Sequence, residues 1–411
     1  MISEINKTVL TVLAVSLLLV ARGVCAQSNE EVIHGWTSSS ESAAVRVYAE
    51  AYNQAGGHWV DTAIAGGSNA RTLGINRIVG GNPPMAMQFS IGRRFDDLID
   101  ADLLTDLQSV VDKEYWKKVL YKPVYQSISR DDKIYAVPVG LHGQNWLWTN
   151  NELFQEAGLS IPKNWSELVE VGREFKKRGV IPLAVAGVPI YEQNLFNAVL
   201  SSYGGADLYR KIYIEHDIDA IKGEAFARVV ALFDSLHELV DAGSPGRSWS
   251  DTTALIIHKK AAMEIMADFA KGEFFAAGKQ VGKDFECNLL GSEFIFSGDV
   301  FIFPRTADKA QQAAQQRLIN VAFDPANQVA FAAQKGSLPP RADADVSSLD
   351  ICAQKAHAVL QNPENLLGGV PVLLSPQTLG DLQDNVSRFW NRNIDAERFI
   401  SQFADIIAQE E

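Results

Sequence analysis

The sequence predicts a two-lobed α/β protein. Its 411 residues suffice for two cores. The first part alternates strand-type and helix-type patterns, the rhythm of a mostly parallel sheet covered by helices. After Ile134 that rhythm breaks, and long apolar runs return near Glu293, as expected if the chain leaves one lobe and comes back.

Residues 1–26 read as a secretory signal peptide. Lys7 precedes an uncharged, mainly apolar run from Val9 to Val20, and Val24-Cys25-Ala26 offers small residues for cleavage before Gln27. The run is too short to span a bilayer as a stable helix. Cys25 at the boundary also fits a lipoprotein, for which Arg22-Gly23-Val24 is a poor lead-in. The mature chain is then an exported protein. Removal of the signal leaves Cys287 and Cys352, and an oxidising compartment makes one disulfide the natural inference. Two buried thiols are the alternative.

Glu31 to Trp36 is a strand-type run. Ser38-Ser39-Ser40-Glu41 supplies hydroxyls suited to a helix N-terminus. Ala44, Tyr48, Ala51 and Tyr52 follow on one helical face, and Gly56-Gly57 ends it. A second strand is expected over Trp59 to Ile64, a helix near Asn69 to Val79, and a third strand over Met85 to Phe89. Ile134 to Val139 is apolar, and Asn145 to Thr149 carries two tryptophans. The first lobe crossing is expected here. Pro162 to Glu167 looks like a loop entering a helix, Ala225 to Val240 is strongly helical, and Ala261 to Phe269 is an apolar strand or helix start. Return to the first lobe is expected through Phe294-Ile295-Phe296 and Val300-Phe301-Ile302-Phe303, and departure around Lys335 to Pro340. A terminal helix places Phe399, Phe403, Ile406 and Ile407 on one face. The expected lobes are thus 27–138 with 293–337, and 139–292 with 338–411.

Composition is ordinary for a globular chain, with 47% apolar and 21% charged residues. The net charge of −13 argues against nucleic acid and anionic lipid as partners. There is no GxxxxGK[ST] loop and no HExxH. Gly66-Gly67-Ser68-Asn69-Ala70 nearly makes a nucleophile elbow, but Ala70 replaces the last glycine, so a turn into a helix is the better reading. His34, His58, His142, His216, His237, His258 and His357 form no i, i+3 or i, i+4 metal pair. Neither a metal nor an organic cofactor is expected. Carboxylates such as Glu41, Asp268 and Asp299 suit a hydrolytic pair only if they lie about 5 to 10 Å apart across a bond.

Sparse polar residues beside aromatics, at predicted strand ends, are the sites to weigh. They are Trp36, Glu41, Gln88, His142, Asn145, Asp268, Phe269, Asp299 and Lys335. Ligands bind open α/β sheets at the carboxyl ends of strands. A neutral sugar wants an aromatic face for its C–H groups, and charged or amide partners for its hydroxyls. Each residue also has a plainer role. Trp146 and Phe269 suit a core, Glu41 suits a helix cap, and Lys335 suits a solvated surface.

Several phrases resemble the family 1 extracellular solute-binding proteins of ABC importers, in particular the glucose/mannose-type branch of Gram-negative periplasms. They are Val32-Ile33-His34-Gly35-Trp36-Thr37-Ser38, Ala136-Val137-Pro138-Val139-Gly140-Leu141-His142, Asn145-Trp146-Leu147-Trp148, the run from Met266 to Phe274, and Lys335-Gly336-Ser337. Cys287 and Cys352 also fall where that branch carries a pair. The resemblance implies the type II, hinged periplasmic-binding-protein fold, with sugar in the cleft and a membrane permease as partner. It implies a monomer that catalyses nothing. Trp36 would stack on the sugar, while Glu41, Gln88, His142, Asp299 and Lys335 would contact hydroxyls and Asp268 would support them. Asp299→Ala is then expected to remove most sugar-induced stabilisation while leaving the melting of the unliganded protein nearly unchanged. Three departures stand out. Gly35 replaces an aromatic, leaving room for a second sugar unit. Ala267-Asp268-Phe269 replaces Gly-Asp-Trp. Val370 to Leu374 lacks the histidine of an Ala-His-Gly phrase, so one hydroxyl partner is missing and glucose itself is disfavoured. A different solute (oligosaccharide, polyol or modified sugar) and an exported glycan-processing enzyme are the alternatives.

Overall fold

The computed structural model describes residues 30–360 and 366–410. The expected signal peptide lies outside the described residues.

The opening βαβαβ rhythm builds the first lobe. Strand β1 (Glu31–His34) pairs in parallel with both β2 (Val60–Ala63) and β3 (Ala86–Ser90). Helix α1 (Ser39–Gln54) joins β1 to β2 and starts in a reciprocal cap. The Ser38 hydroxyl accepts from the Glu41 backbone N–H, and the Glu41 carboxylate accepts from the Ser38 N–H. Ala44, Tyr48 and Tyr52 are fully buried along its inner face, with Ala51 partly buried. Helix α2 (Gly67–Val79) follows Gly66, whose φ of 84° is a left-handed value that glycine adopts without a Cβ penalty. The near-elbow is thus a helix start.

Two long strands complete this sheet. β4 (Ala136–Gly143) and β9 (Phe294–Ile302) pair antiparallel, and β9 also pairs antiparallel with β3. Both are buried almost throughout, which explains their unbroken apolar runs. The first crossing comes after Gly143, because β4 stays in the first sheet beyond residue 138. β5 (Trp146–Asn150) opens the second sheet. It lies between β7 (Ala261–Met266) and β8 (Phe285–Asn288), and β6 (Ile181–Ala184) flanks β7.

The second core is helical and aromatic. Phe196 on α3 (Pro189–Ser202), Phe226 and Phe233 on α4 (Glu224–Leu236), and Phe399 and Phe403 on α11 (Ala396–Ile407) pack with Phe389 of α10 (Pro376–Trp390). Burying each such ring is worth roughly 1.5–3 kcal/mol. The terminal helix is therefore fastened by the face predicted for it: Phe399, Phe403 and Ile407 are buried, with Ile406 at the margin.

Residues 338–360 run between the lobes. Helix α9 (Ile351–Leu360) carries Cys352, which forms a disulfide with Cys287 of β8. The same helix meets the first lobe through a hydrogen bond of 2.8 Å between Tyr121 Oη and His357 Nδ1. Residues 366–368 then pair in parallel with Phe294–Phe296, at the edge of the first sheet, as strand β10. The expectation that everything after 337 belongs to the second lobe misses this strand. Three residues are too few to carry a readable alternation.

Glycines let the hinge elements close on each other. A Cβ at Gly272, on α6 (Ala270–Ala276), would stand 2.9 Å from the Lys335 carbonyl and 2.8 Å from Ser40 Cβ. Helix α7 (Lys309–Phe323) leads into α8 (Pro325–Lys335), which Gly336 ends with φ 83°, and a Cβ at Gly336 would lie 2.8 Å from the Gly272 nitrogen.

Candidate functional site

A cavity of about 920 Å³ separates the two lobes. Strands β3, β4 and β9 supply its floor. Asp299 lies on β9 at the point where pairing with β4 shifts register, a bulge that re-aims its side chain. Its Oδ2 accepts from His142 Nε2 at 3.0 Å and from Trp36 Nε1 at 3.3 Å, and its Oδ1 accepts from Gln88 Nε2 at 2.9 Å. The Gln88 carbonyl in turn accepts from the Gly35 N–H at 2.8 Å. On its other side His142 Nδ1 donates to Asp268 Oδ1 at 2.7 Å, and Asp268 Oδ2 accepts from the Gly143 N–H.

This row is charged. Burial opposes protonation of His142, but Asp268 and Asp299 outweigh it and lift its pKa to about 9. Burial likewise works against ionised Asp299, yet the His142 hydrogen bond and charge, with Lys335 and Gln88, hold its pKa below the usual carboxylate value. In this row His142 therefore favours its protonated form, between Asp268 and Asp299.

A second pair stands beside it. Lys335 Nζ donates to Glu41 Oε1 at 2.7 Å, and both are buried. Glu41 Oε2 accepts from the Thr37 and Ser38 N–H groups. Glu41 thus caps its helix and faces the cavity at once. Lys335 Nζ also lies 4.6 Å from the Phe269 ring centre and 5.8 Å from that of Trp249, so cation–π contact ties it to the opposite lobe.

Of the nine residues weighed from sequence, Trp36, Glu41, Gln88, His142, Phe269, Asp299 and Lys335 line one cavity. Asp268 supports it from behind through His142. Asn145 does not reach it: its amide is used in binding the Glu293 carbonyl and the Ile295 N–H, which pins the β4–β5 turn to the start of β9. Trp36 differs from the open plate expected of it. Its indole packs against Phe301 and Phe331 and keeps only 2% exposure. Gly35 does not leave room for more ligand. A Cβ there would stand 2.7 Å from Gly67 Cα, so the start of α2 already fills that space.

Sequence reasoning missed the rest of the lining, notably Arg71, Tyr191, Asn194, Trp249 and Gln383. Tyr191 lies in the first turn of α3, and Trp249 is the first residue of α5 (Trp249–Ile257). Phe269 immediately precedes α6. The aromatic wall is therefore built from helix starts that follow turn-forming stretches, Gly187-Val188-Pro189 and Gly246-Arg247-Ser248. That signal is in the sequence but does not resemble an amphipathic pattern. Burial keeps the Tyr191 hydroxyl protonated, with its pKa well above the ordinary value. Among the described residues no cluster of His, Cys, Asp and Glu is arranged to hold a metal ion. No helix among them is long and apolar enough to cross a membrane.

Comparison with known proteins agrees with this architecture. The family model "Bacterial extracellular solute-binding protein" matches residues 36–329. A Brucella melitensis protein named "Probable sugar-binding periplasmic protein" is 32% identical over 387 residues, covering 92% of this chain and 91% of its own. A protein of the same name from Rhizobium meliloti is 33% identical over 356 residues, 85% of each chain. The solved structure of a chitin oligosaccharide binding protein superimposes with a TM-score of 0.79 at 14% identity, covering 92% of this chain and 98% of its own. That identity speaks to the fold alone, and the two-lobed fold is shared. With a family match across most of its length and relatives this similar end to end, the chain belongs to the bacterial extracellular solute-binding proteins.

Proposed function

We propose that this protein is the periplasmic binding component of an ABC sugar importer. It captures a sugar between its lobes and delivers it, chemically unchanged, to a membrane permease. The observation that carries this reading is the fixed Asp299 carboxylate, held by three donors at the floor of a cleft whose far wall is aromatic. A carboxylate so oriented accepts from sugar hydroxyls, and Phe269, Trp249 and Tyr191 offer faces to sugar C–H groups. Sugar touching both lobes adds contacts present only when they approach, and so shifts the hinge equilibrium. The names of the relatives point the same way.

The glycan-processing alternative is disfavoured by the charges. A general acid needs a raised carboxyl pKa, whereas that of Asp299 is lowered. The export signal over residues 1–26, a monomeric state, and a larger sugar, for which the cavity has space, belong to the same proposal.

A thermal-shift screen of mono- and disaccharides on the mature protein tests it. The expected outcome is stabilisation by a small set of related sugars, about 2.7 kcal/mol at a hundredfold excess over Kd, with the sugar recovered intact. Release of new reducing ends would reject the proposal.

A further inference from the structure

We infer that the sugar held in this cleft carries a carboxylate, and that Arg71, backed by Arg94, receives it. This rests on the sugar-binding reading and narrows it.

The cavity's cations are not equivalent. Lys335 is paired with Glu41, and His142 lies between Asp268 and Asp299. Arg71 lines the same cavity, yet its hydrogen bond goes to a neutral group, from Nη2 to Ser68 Oγ at 2.9 Å. Among the described residues no carboxylate lies within ion-pair distance of Arg71 or Arg94. Arg94 lies four residues after β3, in the short turn Arg93–Phe95, and its Nε is sealed from solvent without a hydrogen-bond partner. Burial lowers the Arg94 pKa to about 9, and the like charge of Arg71 adds to the effect. Two guanidinium groups thus repel each other beside a cleft; the Asp299 carboxylate attracts Arg71 through space, but no carboxylate among the described residues is in contact with either.

Arg71 also stands where a cation is least welcome. It lies near the start of α2, a helix of 13 residues with no side-chain cap and no acidic residue in its first turn. The helix dipole there is positive, and its first N–H groups lack intrahelical partners. Gly67, Ser68 and Asn69 all line the cavity. From the facing lobe Gln383 presents a buried Nε2 that also lacks a partner. Arginine fork, helix start and amide are all donors, and together they match a planar carboxylate. Asp381 and Asp384 line the same cavity, with Asp299 at its floor. They make a doubly charged phosphate a poorer guest than a monoanion.

Titration calorimetry of the mature protein compares each acid with its neutral counterpart: D-galacturonate with D-galactose, and D-glucuronate with D-glucose. The expected result is at least tenfold tighter binding of the acid in one pair, weakened by added salt. That ratio should fall towards parity in Arg71→Gln and be partly restored in Arg71→Lys. The ratio is measured first in the wild type, so the outcome does not depend on how well the variants fold. Equal binding of acid and neutral sugar, or tighter binding of D-glucose 6-phosphate, would overturn the carboxylate assignment while leaving the sugar reading intact. Binding of none of these sugars would overturn both.

Discussion

His142 Nε2 lies 3.0 Å from Asp299 Oδ2, and this contact joins β4 to β9 on the floor of the cleft. It is where the two long strands shared by the hinge meet the ligand space. What sets the charge of the site therefore also contributes to the fold.

That double role changes what Asp299→Ala should do. Loss of the carboxylate leaves His142 beside Asp268 alone and strips Gln88 and Trp36 of an acceptor. Removing one member of a buried charged pair costs about 3–5 kcal/mol. Urea unfolding of the unliganded variant should show a loss of that order, together with loss of sugar stabilisation. A variant that melts like the wild type without sugar would mean these bonds are weak.

The His142 pair also predicts a pH dependence. The folded pKa is about 9, above the ordinary value of 6.5. The group therefore contributes its full stability below about pH 6.5 and loses it as the pH rises through 9, roughly 3 kcal/mol in the limit. Unfolding free energies measured between pH 6 and 9.5 should fall in the wild type. The fall over that window should be markedly smaller in His142→Gln, and an unchanged slope in that variant would refute the assignment.

Glu264 gives a second test, in which the substitution stabilises. It lies on β7 with Oε1 buried and unpartnered, while Oε2 accepts from Thr253 at 3.3 Å. Burial raises its pKa to about 8, with Thr253 opposing. The fold therefore favours the protonated acid and loses stability as the pH rises from about 4.5 towards 8. Glu264→Gln should leave stability near its wild-type value at pH 5 and raise it by about 1–3 kcal/mol at pH 9. Equal effects at the two pH values would show that this carboxyl is not neutral in the fold.

Gly35→Ala should damage both fold and site. Its Cβ would meet Gly67 Cα at 2.7 Å and Gly67 N at 3.0 Å, and these are backbone atoms with little freedom to move. Overpacking of this kind costs about 1–3 kcal/mol. It would also displace the start of α2 and with it Arg71. A lower melting temperature together with weaker ligand binding is expected. An unchanged melting temperature with weaker binding of a disaccharide alone would instead restore the idea of free space at Gly35.

Much of this is legible in the residues, and the reasons are physical. The apolar pair Val32-Ile33 reflects a strand buried on both faces, and Ala44, Tyr48 and Tyr52 a helix buried on one, which sequence records directly. His142 stands out because it sits in a recognisable phrase near the end of β4, and Asp299 because it is the one charged residue in the apolar run of β9. Tyr191 and Trp249 do not, because they meet the others only after the chain has crossed between lobes, and no local period marks that; Arg71, in the first lobe, reads as one more polar position on a largely exposed helix. Trp36 shows the reverse limit. Its place beside the cleft can be foreseen, but whether an indole turns outward or into Phe301 and Phe331 depends on neighbours more than two hundred residues away. Asn145 looks like a ligand arm because amides serve both purposes, and here the backbone at Glu293 and Ile295 claims it.

Hydrogen–deuterium exchange with and without a stabilising sugar tests most directly the claim that one sugar is held by both lobes at once. Saturation should slow exchange together in segments 66–71 of the first lobe and in segments 189–194, 248–250 and 381–384 of the second. Protection confined to one lobe, or spread over surfaces away from the cleft, would contradict it.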